Sequence, residues 1–230
     1  MSGAASYDAI AALYDDYWGQ TFAVLAREAF QEQLFPLLPA GAAVLDLCCG
    51  TGLLMAHLGV LGFETYGVDE SSKMLKAAGR NAPRAQLLQA DMAEFRADRS
   101  FDGVVSFYNS VNHARSVDHL RATMANVARY VREGGYFLFD YVLPDAFESD
   151  WEWSERIEGW TFRYTYDRPS GKAICLVNER DAIRQSSFEA REIHEALKDA
   201  GFVVVHESQM VGSAPLGSRK LVLAKRLAVD

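Results

Sequence analysis

The chain has 230 residues, of which 50% are hydrophobic and 12% aromatic, and 23 lysines and arginines face 31 aspartates and glutamates for a net charge of −8. This length and composition predict one globular domain and exclude a disordered chain. The acidic balance argues against a nucleic-acid partner, because phosphate binding needs clustered basic residues. Neither a signal peptide nor an apolar run of about 20 residues is visible, so we expect a cytoplasmic protein without a membrane partner.

The cysteines and histidines give no sign of a metal site. Cys48 and Cys49 are adjacent and Cys175 is distant, which is neither a disulfide framework nor a pair of Cys-x-x-Cys zinc motifs. No histidine and carboxylate pair has the spacing of metal ligands. We therefore expect no metal and reduced thiols.

The first predicted elements are helical. From Tyr7 to Phe35, apolar residues recur at spacings of three and four, which predicts two helices interrupted near Gly19. After Pro39, β-rich runs alternate with helical stretches. The predicted strands are Ala43–Cys48, Glu64–Asp69, Ala85–Gln89, Phe101–Phe107 and Tyr136–Val142, and the predicted helices are Leu53–Leu61, Ser71–Gly79 and Asp118–Val131. This alternation predicts an α/β fold in which helices cover both faces of a parallel sheet.

The segment Asp145–Ile183 interrupts the alternation. Rings at positions 160, 162, 164 and 166 alternate with polar residues, and a turn-like stretch leads into Ala173–Asn178, so we predict an antiparallel hairpin. A helix over Ser187–Asp199 and strands over Phe202–Glu207 and Leu221–Lys225, joined by Gly212–Gly217, complete the chain. We divide the single domain into a helical arm (1–40), a ligand-binding core (41–144), an insertion (145–183) and a closing segment (184–230).

The stretch Val44–Gly52, VLDLCCGTG, carries the clearest sign of a ligand. Gly50 and Gly52 let a ligand approach the backbone at a strand end, where open α/β sheets bind ligands. A dinucleotide motif would have a third glycine at the position of Met55. Because Asp46 would repel a pyrophosphate and attract an ammonium group, the loop favours a cationic ligand.

Two more acids end predicted strands. Asp69 ends the second strand, where a carboxylate can accept both hydroxyls of a ribose. Asp91 ends the third strand and can accept from an adenine amino group, with Met92 beside it as an amide and an apolar surface. Three carboxylates at successive strand ends fit an adenosine that carries a positive charge.

These motifs resemble those of class I S-adenosylmethionine-dependent methyltransferases, over Val44–Val142 and again over Ile193–Val205. The resemblance is greatest to the small-molecule branch, including sugar-amine and amino-acid N-methyltransferases, which carry a tyrosine-rich arm and an antiparallel lid after strand five. It implies a Rossmann-like, seven-stranded, mostly parallel sheet with the last strand antiparallel, and S-adenosyl-L-methionine as cofactor. Cys48 stands where the family usually has glycine.

The resemblance also implies a set of site residues. The expected cofactor contacts are Tyr14, Asp46, Cys48, Gly50, Gly52, Asp69, Glu70, Met74, Asp91, Met92 and Phe107. The expected substrate contacts are Tyr7, Trp18, Tyr108, Asn109, Trp160 and Tyr164.

The catalytic candidates are His113 and Tyr14. His113 follows the fourth predicted strand, where it is a general base, a substrate hydrogen-bond partner or a plain loop residue. Tyr14 lies on an aromatic stripe that either packs in the core or stabilises a methyl sulfonium. The other four histidines, His119 among them, are interpreted as surface or packing residues.

Together these features predict in-line methyl transfer to a small polar acceptor, with an amine slightly favoured over a hydroxyl. A methyltransferase acting on a protein or tRNA and a non-catalytic cofactor-binding module are the alternatives. The aromatic face of the hairpin is predicted to form the acceptor pocket, or alternatively a homodimer interface.

Overall fold

A computed structural model describes residues 4–150, 152–210 and 219–228 and shows one central sheet. Its strands are β1 (Ala43–Leu47), β2 (Glu64–Asp69), β3 (Gln86–Gln89), β4 (Phe101–Ser106), β5 (Val131–Val142), β10 (Phe202–Gln209) and β11 (Arg219–Arg226). Their order across the sheet is β10-β11-β5-β4-β1-β2-β3. β11 runs antiparallel to both of its neighbours, whereas the pairs among β1 to β5 are parallel. The predicted seven-stranded sheet with an antiparallel last strand is confirmed.

Helices cover both faces of this sheet because its central strands are apolar on both sides. All five residues of β1 are buried, including Asp46. The covering helices are α3 (Leu53–Val60), α4 (Ser72–Asn81), α5 (Val117–Tyr130) and α7 (Ala190–Asp199). Within the described ranges, no helix has the length and apolar content needed to cross a membrane.

The helical arm differs from its prediction in where it breaks. It consists of α1 (Ala4–Ile10), a π-helical turn (Asp15–Gly19), α2 (Gln20–Ala29), a second π-helical turn (Phe30–Leu34) and a 3₁₀ turn (Phe35–Leu37). The chain stays helical through Gly19, and the interruption lies at residues 11–13 instead. A Cβ atom on Gly19 would lie 3.2 Å from Leu53 Cδ1, so this glycine lets the arm pack closely on the start of α3 rather than ending a helix.

Strand β5 is longer than predicted. It begins at Val131, although Gly134 has a φ of +74° and the pairing with β4 shifts register between Phe101 and Gly103. The sequence Arg-Glu-Gly-Gly at 132–135 is typical of a turn. A glycine-containing irregularity inside a strand gives the same sequence signal.

The insertion is a four-stranded antiparallel sheet rather than a hairpin alone. After α6 (Pro144–Asp150) come β6 (Trp153–Ile157), β7 (Trp160–Asp167), β8 (Lys172–Val177) and β9 (Asp181–Ser186). The predicted hairpin is the inner pair β7 and β8. The outer strands were missed because most residues of each are polar, and β6 is mostly exposed. The predicted Gly212–Gly217 connection lies outside the described residues.

A buried ion pair joins β5 to β11. Asp140 and Arg219, both at most 2% exposed, form a short ion pair. Arg219 Nη2 donates to Asn109 Oδ1 at 3.0 Å, and the backbone N–H of Asn109 donates to Asp140 Oδ1 at 2.8 Å. The pair therefore fixes the loop after β4, where Tyr108 and Asn109 both have a positive φ.

We expect Asp140→Asn to lower the free energy of unfolding by about 3–5 kcal/mol, because it leaves the Arg219 charge buried without its partner. Urea denaturation followed by circular dichroism measures this loss. The control is Glu179→Gln, which breaks an exposed pair with Arg163 and should cost less than about 1 kcal/mol. Equal effects of the two substitutions would contradict the assigned role.

Candidate active site

The loop after β1 is held in a conformation that favours glycine. Cys48, Gly50 and Gly52 have φ values of +60°, +53° and +78°. A Cβ atom on Gly52 would lie 2.9 Å from Ala78 Cβ, whereas one on Gly50 would meet nothing within 4 Å. Gly52 thus lets α3 approach α4, and Gly50 leaves open space for a ligand.

A first cavity opens above this loop, at the carboxyl ends of β1, β2 and β4. Its lining includes all but one of the residues predicted to contact a cofactor: Tyr14, Asp46, Cys48, Gly50, Asp69, Glu70, Met74, Asp91, Met92 and Phe107. Gly52 is the exception, because it lies behind the loop against Ala78.

Asp69 both shapes the loop and faces this cavity. Its Oδ2 accepts from the Gly50 N–H at 2.9 Å, and its Oδ1 accepts from the Ser71 N–H at 2.8 Å. Burial raises the pKa of Asp69 to about 6, although these backbone hydrogen bonds lower it. Each carboxylate oxygen has a second lone pair, so the side chain can still accept two ligand hydroxyls.

Asp46 lies beneath the same cavity and is 5% exposed. Burial, together with the neighbouring charge of Asp69, raises the pKa of Asp46 to about 8. A buried carboxyl with this pKa is mostly protonated at neutral pH, and an ammonium group placed beside it would favour its ionised form.

Asp91, whose predicted contact with the cofactor stays a prediction, is paired with two neighbouring side chains. Arg115 Nη2 donates to its Oδ2 at 2.8 Å, and His119 Nε2 lies 2.9 Å from its Oδ1. Burial raises the pKa of Asp91, but hydrogen bonds from His119 and Ala93 and the Arg115 charge outweigh it and bring the value to about 2. Arg115 and His119 also line the cavity. His119 is therefore wrongly predicted as a surface or packing residue, and its four-residue spacing from Arg115 was the available signal.

A second cavity lies between the arm and the insertion. Its lining includes five predicted substrate contacts: Tyr7, Trp18, Tyr108, Asn109 and Tyr164. Trp160 lies outside this lining, although it packs in the same aromatic cluster. Two residues of this lining are not among the predicted ones: Trp153, whose ring stacks on Tyr164 at 4.4 Å, and Glu155, which accepts from the Tyr164 hydroxyl at 3.0 Å.

The two cavities meet at a junction formed by Tyr7, Tyr14, Tyr108 and Ile183, which line both. Burial raises the pKa of each of the three tyrosines well above its usual value, so all three hydroxyls stay neutral. A group bound in one cavity can reach a group bound in the other only past these side chains.

His113 holds one of these tyrosines in place. Its Nδ1 lies 2.9 Å from the carbonyl oxygen of Arg184 and therefore carries the proton, which leaves Nε2 to accept from the Tyr7 hydroxyl at 3.0 Å. Burial lowers the pKa of His113 to about 4, so the ring is neutral at pH 7. Both ring nitrogens are engaged, which favours positioning of Tyr7 over proton abstraction.

The aromatic face of β7 is covered by the arm and by α6 of the same chain. Phe162 contacts Trp18 edge-on at 5.1 Å, and Tyr166 stacks on Phe147 at 5.6 Å. Among the described residues, no group of three or more histidine, cysteine, aspartate or glutamate side chains could hold a metal ion.

Comparisons with known proteins agree with this geometry. A family profile described as a methyltransferase domain matches residues 17–207. The dTDP-3-amino-3,4,6-trideoxy-alpha-D-glucopyranose N,N-dimethyltransferase of Streptomyces venezuelae is 28% identical over 173 residues, covering 75% of this chain and 68% of that protein.

Solved structures share the fold. An S-adenosylmethionine-dependent methyltransferase from Clostridium acetobutylicum superposes with a TM-score of 0.80 at 19% identity, over 96% of this chain and 99% of that one. A SAM-bound amino pentose methyltransferase from Micromonospora echinaspora, involved in calicheamicin biosynthesis, has a TM-score of 0.71 at 23% identity, over 88% and 91% of the two chains.

The first cavity has the groups that S-adenosylmethionine requires. Gly50 leaves space beside the backbone, Asp69 has lone pairs for the ribose hydroxyls, and Asp46 has a carboxyl suited to an ammonium group. The buried acids also suit the positive charge of a sulfonium. With the profile match over most of its length, this chain belongs to the methyltransferase domain family and is an S-adenosylmethionine-dependent methyltransferase.

Proposed function

We propose that the enzyme transfers a methyl group to the amine nitrogen of a small molecule held in the second cavity. The observation that carries this proposal is the junction of three neutral tyrosines at which the two cavities meet. The relatives support an amine, because dTDP-amino-sugar N,N-dimethyltransferases of Streptomyces venezuelae and Streptomyces fradiae are among them.

When bound, S-adenosylmethionine supplies an activated methyl group for in-line displacement, in which the new C–N bond forms as the C–S bond breaks. The protein contributes chiefly positioning. Asp69 and the loop at Gly50 hold the donor on one side of the junction, and the arm and insertion hold the acceptor on the other. The aromatic walls exclude water from the space between them.

Tyr7 orients the attacking nitrogen in this proposal. Because its hydroxyl donates to His113 Nε2, its oxygen has lone pairs available to an amine N–H at the junction. Such a hydrogen bond directs the nitrogen lone pair away from the tyrosine and toward the donor. The proton that the nitrogen loses passes to solvent, since His113 is a poor base with its low pKa.

The proposal is tested with methyl-labelled S-adenosylmethionine and matched panels of small amines, alcohols, tRNA and proteins, with products identified by mass spectrometry. We expect labelled N-methylated products. Label only on an oxygen, a tRNA or a protein would overturn the proposal. Stabilisation by the cofactor without turnover on any panel would identify a binding module instead.

We expect Tyr7→Phe to lower kcat about threefold to tenfold, the value of one neutral hydrogen bond. The dissociation constant of S-adenosylhomocysteine, measured by calorimetry, should stay within about twofold, because the ring and its packing remain. Tyr130→Phe, which removes a hydroxyl from a residue outside both cavities, is the control. Unchanged turnover in Tyr7→Phe would remove this residue from the mechanism.

Cofactor affinity should fall as the pH is lowered. With a pKa of about 8, Asp46 loses its negative charge below that pH, and an ammonium group then loses its partner. Between about pH 8 and pH 6.5, calorimetry should show a rising dissociation constant, approaching tenfold per pH unit. Asp69, with a pKa of about 6, contributes mainly below this window.

The variant Asp46→Asn cannot ionise at this position, so it should bind weakly and with a flat pH profile across the same window. A wild-type profile as flat as that of Asp46→Asn would show that this carboxyl does not contact the cofactor.

A further inference from the structure

We propose that the acceptor is an ammonium-bearing molecule with an apolar skeleton and no phosphate, an inference that rests on the proposed function and names its substrate class. It sets this chain apart from relatives named for dTDP-linked amino sugars. Two features of the second cavity support it: the scarcity of cations and an aromatic wall that includes a carboxylate.

The second cavity has too few cations for a nucleotide. Among the described residues that line it, Arg219 is the only lysine or arginine, and Asp140 neutralises it. On the insertion sheet, Arg156 and Arg163 alternate with the cavity-lining Glu155 and Tyr164 and so point to the opposite face. Residues 211–218 have no lysine, arginine or histidine in their sequence. A diphosphate would therefore enter this cavity without the basic partners that phosphate recognition uses.

Two buried polar atoms lack partners in this cavity. Gln185 Oε1 and Arg219 Nε are fully buried without a hydrogen bond, and both residues line the second cavity but not the first. Buried unsatisfied groups are costly and rare in native proteins. Both residues line the second cavity, but neither of these atoms has surface open to it, so the acceptor and the donor stay unpaired within its wall.

The wall of the insertion suits an ammonium group. Glu155 places a carboxylate beside the stacked rings of Trp153 and Tyr164, and all three residues line the cavity. Phe162, the cross-strand neighbour of Glu155, and Trp18 of the arm add two more rings. A carboxylate among aromatic faces attracts a cation through both its charge and the ring quadrupoles.

Three probes that share one skeleton test this inference by calorimetry on the full chain saturated with S-adenosylhomocysteine. Tyramine carries the ammonium group, an apolar ring and a hydroxyl; tyrosol has an alcohol in place of the ammonium group; O-phosphotyramine adds a phosphate. We expect tyramine to bind about tenfold or more tightly than either. A dTDP-linked amino sugar should also bind more weakly than tyramine. Absence of tyramine binding, or tighter binding of either phosphorylated probe, would overturn the inference.

Two variants locate the binding. Glu155→Gln should weaken tyramine about tenfold and leave tyrosol within about twofold, because only tyramine is charged. Glu152→Gln, an exposed change of the same charge three residues earlier, is the control and should change neither. If Glu155→Gln and Glu152→Gln behave alike, the carboxylate site is wrong.

The outcomes separate this inference from the proposed function. If no amine is methylated in the labelling panel, the proposed function fails. If a dTDP-linked amino sugar is methylated and binds more tightly than tyramine, N-methylation stands and only the phosphate-free substrate class is wrong.

Discussion

The buried ion pair between Asp140 and Arg219 is the constraint on which the junction depends. Tyr108 and Asn109 adopt positive φ values in succession, a conformation that costs free energy for residues other than glycine. Hydrogen bonds from Asn109 to Asp140 and from Arg219 to Asn109 hold them there. The charges that stabilise this loop are therefore the same ones that place Tyr108 between the two cavities, and Arg219 comes from the last strand of the sheet.

The parts of the site that a sequence can predict are those whose residues are placed by neighbouring residues in the chain, not by distant ones. Asp46 lies in β1, Gly50 follows that strand and Asp69 ends β2, so local pattern places all three at one sheet edge. Asp91 also follows its strand, but its partners Arg115 and His119 come from the start of α5. Nothing in the local pattern around Asp91 indicates that Arg115 and His119 pair with it. The sequence therefore predicts where a side chain lies in the sheet better than it predicts which hydrogen bonds and ion pairs that side chain makes.

In the insertion, too, the sequence predicts some strands and misses others. β7 and β8 carry aromatic and apolar alternation because their inner face packs against the arm, so their pattern predicts strands. Trp153 and Glu155 line the second cavity from β6, an edge strand whose other residues are mostly exposed. An edge strand needs few apolar residues. These two residues thus lie where hydrophobic periodicity is weakest. Asn109, a substrate contact that the resemblance implies, lines the same cavity while its amide oxygen accepts from Arg219.

The electrostatics of the two cavities are consistent with a reaction that moves positive charge without creating it. Methyl transfer from a sulfonium to a neutral amine takes the charge from sulfur to nitrogen, so the protein has no new charge to stabilise, only one to accommodate at each end. Acidic side chains line both cavities: Asp46 and Asp69 in the first and Glu155 in the second. Between them the junction presents neutral hydroxyls, since burial keeps the three tyrosines protonated. A charged side chain at the junction would stabilise the positive charge on either the sulfur or the nitrogen more than on the other, and so oppose its transfer. Neutral hydroxyls orient the two reacting groups without favouring either position of the charge.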